Sequence, residues 1–146
     1  MTGSRPRYVD EHSVSLPVPP QEAYVAARSY AEGLVRPPTG RALGLLTRVL
    51  GTDPPSGFAI AEEQPPRLVS LAGRHRFSRH VMDLRVDPAP GGSTVTVVTW
   101  ADFPGPGGAV YRTLVVGSRG HVLAVRRMLA AIASRATRPE GRPPRG

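Results

Sequence analysis

The chain has 146 residues, with nineteen basic against eleven acidic side chains and a formal net charge of +8. That length suits one domain with a substantial core. With no cysteine and no lysine in the sequence, disulfides, thiolate metal sites, Schiff-base chemistry and a P-loop lysine are all excluded.

An arginine excess of this size favours acidic partners such as phosphates, nucleic acid or anionic surfaces. Nucleic acid is disfavoured by the aromatic content. Three Phe, four Tyr and one Trp are too few, and too irregularly spaced, to interleave with a basic groove as base stacking requires. No segment approaches the roughly 18 apolar residues of a membrane span, and no signal-peptide run follows Arg5 and Arg7. The expectation is a cytoplasmic protein without membrane insertion. The sequence does not fix its oligomeric state.

Residues 1–7 read as a flexible arm. Val14 and Leu16 alternate with Ser13 and Ser15, which predicts a strand over 11–17. Pro17, Pro19 and Pro20 stop it. Pro20 suits the first turn of a helix, and Ala23, Ala27, Tyr30, Ala31 and Leu34 follow at helical spacing. After Arg36-Pro37-Pro38, Thr39 is placed to cap a second helix whose apolar face is Ala42, Leu43, Leu46, Val49 and Leu50.

Four strands are predicted next, over 58–62, 68–72, 76–87 and 93–103. In the third, His80, Met82, Leu84 and Val86 alternate with Arg79, Asp83, Arg85 and Asp87, the pattern of a half-buried antiparallel strand. In the fourth, Val95, Val97, Thr99, Ala101 and Phe103 are the expected inward set, with Trp100 on the other parity. A single long helix is predicted over 109–136. At about 100° per residue, Val110, Leu114, Gly117, His121, Val125, Met128 and Ile132 fall along one stripe, with Arg112, Arg119 and Arg126 opposite. Residues 137–146 read as a disordered Pro/Arg tail.

Strand, two helices, antiparallel strands and one long C-terminal helix is an order that resembles the START-like (SRPBCC) superfamily, which includes polyketide cyclases and lipid-transport domains. Ser15-Leu16-Pro17-Val18-Pro19-Pro20-Gln21-Glu22-Ala23-Tyr24 is similar to its first strand and step into the first helix. Leu68–Ser78, Phe103-Pro104-Gly105, Tyr111-Arg112, Gly120-His121 and Arg126-Arg127-Met128-Leu129 are similar to an uncharacterised actinobacterial-like branch. The resemblance covers residues 8–136 and implies an α+β helix-grip fold, with a curved sheet wrapped around the C-terminal helix and a ligand cavity between them. Four strands after the two helices is fewer than the family's usual five or six.

On that fold, the expected ligand is a small hydrophobic or amphipathic molecule. Met82, Leu84, Val110, Leu114, Val125 and Met128 would supply walls, Gly117 would supply room or close helix approach, and His80, Tyr111 and His121 would supply polar contacts. The two histidines admit three readings: core residues satisfied by backbone, by each other or by Ser78; groups that orient a ligand; or an acid/base pair, as resemblance to polyketide cyclases implies. Metal ligation is not expected, because Asp83 and Asp102 fall on the polar parity and two histidines fall short of a three-ligand site. No cofactor is expected. Arg74, His75, Arg76 and Arg79 form either a basic rim or a charged sheet edge, and an arginine-rich interaction module is a further alternative.

Overall fold

The structure, a computed structural model, describes residues 5–37, 39–117 and 119–138. In chain order they form β1 (Tyr8–Leu16), α1 (Pro20–Leu34), α2 (Arg41–Val49), β2 (Ala59–Gln64), β3 (Leu68–His75), β4 (Ser78–Ala89), β5 (Gly92–Asp102), α3 (Gly105–Val115) and α4 (Gly120–Ala136). Residues 1–4 of the expected arm, residues 139–146 of the expected tail, Pro38 and Ser118 lie outside the described residues.

The five strands make one antiparallel sheet in the order β1-β5-β4-β3-β2. β4 and β5 meet in a turn at Pro90-Gly91, where Gly91 takes φ +76°, so the hairpin is tighter than the gap between the strands predicted over 76–87 and 93–103. The register puts Leu84 opposite Val69 on one side and Val97 on the other, and Val86 opposite Val95. These residues are buried on the side of the sheet that faces α1 and α4. The alternation of residues 80–87 therefore selects the faces as expected.

α1 starts at Pro20, whose missing N–H costs nothing in a first turn. Its buried face is mostly alanine: Ala23, Ala26, Ala27 and Ala31. Small side chains let α1 lie close against α4 and over β3, β4 and β5. α4 contributes Val125, Met128, Leu129 and Ile132 to the same core. This five-stranded antiparallel sheet, with a C-terminal helix packed across one face, is helix-grip architecture.

One expectation fails. The helix predicted over 109–136 is two helices, α3 and α4, separated at 116–119. Arg119 adopts left-handed backbone, φ 59°, between a segment holding Gly117 and the start of α4 at Gly120. Each glycine gives up about 1 kcal/mol of helix propensity relative to alanine, so the chain turns here at little cost. The apolar stripe continues in sequence across the break, but the α3 part of it is not buried as the α4 part is. Val110 and Leu114, expected as interior walls, are 62% and 65% exposed, and Gly117 lies at the exposed joint rather than on an inward stripe. α2 also differs from its expected start. It begins after Gly40 at φ +113°, and no side chain caps it.

Candidate functional site

Strand alternation brings an unusual set of polar groups to the helix-facing side of the sheet. Asp10 and His12 share that side with Val14 and Leu16 on β1, as do Ser78 and His80 with Met82 on β4, and Thr99 with Val97 on β5. His75 joins them from β3 by pairing with Ser78. All lie toward one end of the sheet, beyond the aliphatic core.

The first cluster is a directed hydrogen-bond chain. The Phe77 backbone N–H donates to His75 Nδ1 at 3.1 Å. His75 must then carry its proton on Nε2, which lies 3.0 Å from Ser78 Oγ. The Ser78 hydroxyl is thereby free to donate to His80 Nδ1 at 3.2 Å, and His80 Nε2–H donates to the Gly57 carbonyl at 2.9 Å. Each nitrogen is used once, with both rings neutral. Tyr111 of α3 closes the cluster edge-on against His75, with centroids 4.8 Å apart, and Phe58 packs edge-on against His80 at 4.9 Å.

Burial pushes His75 and His80 below the usual histidine range; His80 acts against His75 in the same direction, and the Gly57 carbonyl partly offsets the effect on His80. Burial also raises the Tyr111 hydroxyl. The sign for stability follows directly. Both rings are neutral in the fold and charge more readily in the unfolded chain, whose ordinary pKa is about 6.5. The unfolded state thus binds more protons as pH falls through that value, and stability present above it is lost toward the lower folded values. Tm is expected to fall by several degrees between about pH 7.5 and about pH 5.5, and this slope should flatten in His75→Gln/His80→Gln. A Tm that rises on acidification, followed by calorimetry, would contradict the buried neutral chain.

The second cluster joins β1 to the first turn of α4. Asp10 Oδ1 lies 3.0 Å from His121 Nε2, and Asp10 Oδ2 lies 3.2 Å from His12 Nε2. One carboxylate thus accepts from two imidazoles. His121 is half-buried, as its place on α4 predicts, but its partner is Asp10 and not His80.

Between the clusters sits Thr99, paired with Asp10 on one side and Met82 on the other. Its Oγ1 is buried and makes no hydrogen bond to any described residue. An unmatched buried hydroxyl costs on the order of 1–3 kcal/mol.

Of the residues expected at a site, His80 and Tyr111 meet through His75, and His121 stands in the second cluster. Met82, Leu84, Val125 and Met128 are buried in the core between sheet and helices. Asp10, His12, His75 and Ser78 extend the set. The parity that places Val14 and Leu16 inward also places Asp10 and His12 there, so that signal was present in the sequence. Thr99 was on the expected inward set, but its lack of a partner emerges only from the packing.

The outer face of the sheet is occupied differently. Asp83 is buried there, bonded to Ser70 at 2.7 Å and ion-paired with Arg5, whose guanidinium lies 4.6 Å over the Trp100 ring. Arg74 pairs with Asp53 at 3.2 Å and Arg79 with Asp102 at 2.7 Å, and the latter pair holds the Asp102 carboxyl below its usual range. The arginines of the expected basic rim at 74 and 79 are thus matched by acids, and with Arg5 they line an open groove of about 510 Å³.

No family model and no curated protein matches the chain. Solved structures do. Protein MLL2253 from Mesorhizobium loti superposes with a TM-score of 0.52 at 13% identity, over 91% of this chain and 100% of that one. An uncharacterised protein from Rhizobium leguminosarum gives 0.50 at 11% identity, over 86% and 95%. The fold is shared. At such identities the similarity extends to architecture alone.

Proposed function

We propose that the protein binds one small amphipathic molecule between the sheet and α4, with its polar end at Thr99. The observation that carries this is the buried Thr99 hydroxyl, unpartnered within the described chain and flanked by two imidazole clusters. Met82 supplies apolar surface beside it, Val125 and Met128 belong to the same core, and His121 supplies an orienting group. The resemblance to START-like domains, whose ligands lie between sheet and helix, favours the same place. Val110 and Leu114 have no part in it.

An enzymatic role for the same place is the second reading. It rests on Asp10 and His121, since a carboxylate that fixes an imidazole is the arrangement a general base needs.

Native mass spectrometry of protein purified under gentle conditions is expected to show a fraction carrying one small organic molecule. Thr99→Val keeps the side chain's shape and removes one hydrogen bond, worth about 1 kcal/mol, so occupancy should fall several-fold with Tm unchanged or raised. A wild-type chain that carries no such molecule, and binds none from a panel of fatty acids and aromatic polyketides, would remove the proposal. Conversion of the bound molecule that stops in His121→Gln would select the enzymatic reading.

A further inference from the structure

Positive charge is not spread evenly along this chain. Residues 33–52 hold three arginines and residues 103–139 hold six, and neither segment contains an acid. The other ten arginines are outnumbered by the eleven acids. The whole charge excess therefore sits on the segments that contain α2, α3 and α4.

The same segments carry the least satisfied apolar surface. No residue of α2 is buried. Leu45 and Val49 are 64% and 65% exposed, Leu43 and Leu46 about half exposed, and Val110 and Leu114 of α3 stand one helical turn apart in solvent. Leu123, one turn into α4, is exposed as well.

These faces belong to one end of the molecule. The carbonyl of Leu50, just past α2, accepts from Arg76 N at 2.7 Å. Phe77, the next residue, lies against Gly107 of α3 and stacks on Tyr111 with centroids 6.2 Å apart. The turn between β3 and β4 thus anchors the end of α2 and the start of α3 together.

From this we infer that the α2–α3 end docks on an anionic lipid bilayer, lying in the interface without crossing it. Leucine and valine side chains would enter the acyl boundary, while Arg41, Arg48 and Arg119 meet lipid phosphates. The chemistry selects this occupant. A second copy of the chain would bring segments rich in arginine, with no acid of their own, against each other. Nucleic acid would leave the aliphatic groups without a role, since bases stack on aromatic rings. A bilayer of anionic lipid answers both features at once. The inference does not depend on the ligand proposal.

The test is flotation of the full chain with vesicles of phosphatidylcholine containing phosphatidylglycerol. Binding is expected to such vesicles, to fall at least tenfold on pure phosphatidylcholine, and to weaken as salt rises. Leu45→Asp/Leu114→Asp should abolish flotation with an unchanged melting curve, because both side chains are exposed. Val25→Asp, equally exposed but on α1, should float as the unaltered chain does. Failure to float, equal binding to neutral and anionic vesicles, or loss of binding in Val25→Asp to the same degree would each overturn the inference. So would a stable dimer in solution that Leu45→Asp/Leu114→Asp dissociates without any effect on vesicles, or binding to single-stranded DNA in place of lipid.

Discussion

Replacing Gly73 with alanine is expected to destabilise the protein by about 3 kcal/mol and lower Tm by about 10 °C. Gly73 lies on the helix-facing side of β3, opposite His80. A Cβ there would sit 1.9 Å from the Gly57 carbonyl oxygen and 2.7 Å from His80 Nε2. The space that the missing side chain leaves is filled by the acceptor that ends the histidine chain. The Gly57 carbonyl cannot withdraw freely. Its segment is tied to β3 by two backbone bonds between Asp53 and Arg74, at 2.7 and 2.9 Å. Alanine would therefore either compress backbone or break the His80 bond, and the imidazole would lose its buried acceptor. Calorimetry gives the Tm, and NMR of the ring protons reports on the His80–Gly57 bond. A Tm within about 1 °C of the parent, with that proton unchanged, would mean that the segment at 53–58 yields without cost.

Leu84→Ala is expected to cost a similar amount, about 3–4 kcal/mol, by a different route. Leu84 is fully buried on the central strand, between Val69 and Val97 and under α1. Truncation removes buried methyl groups and leaves a void that a sheet paired on both sides cannot close. Chemical denaturation should show a lower midpoint with an unchanged slope. A loss below about 1 kcal/mol would place Leu84 in looser packing than its burial indicates. The two substitutions separate cleanly, because only Gly73→Ala should also disturb the histidine chain.

Much of the architecture is legible in the sequence because two periodicities are strong. The alternation of residues 80–87 assigns each face of β4, and the spacing of Val125, Met128 and Ile132 assigns the inner side of α4. Proline punctuation places the start of α1. The break between α3 and α4 is not legible, because an apolar stripe records spacing and not whether the axis stays straight. Val110 and Leu114 fit the stripe and still point to solvent. The apolar side of α2 illustrates the same limit. Amphipathicity shows that a face has apolar residues, not that anything covers it. His80 and His121 were visible as polar residues on inward positions, and Tyr111 as one on the shoulder of the stripe. Their grouping into two sets was not, since it depends on Asp10 crossing to His121 and on His75 arriving through a cross-strand pair.

The order of strands carries a kinetic consequence. β1 precedes the other four strands in the chain, yet among the described residues its neighbour in the sheet is β5, with Leu16 opposite Ser93 and Tyr8 opposite Trp100. On the ribosome, β2 through β5 can zip up as successive hairpins, each closed over a short loop. β1 must wait until the last of them has emerged, and then close a ring spanning most of the domain. Nascent chains halted before residue 92 would hold an unpaired strand, and release of the final stretch would be the moment at which the sheet acquires its far edge.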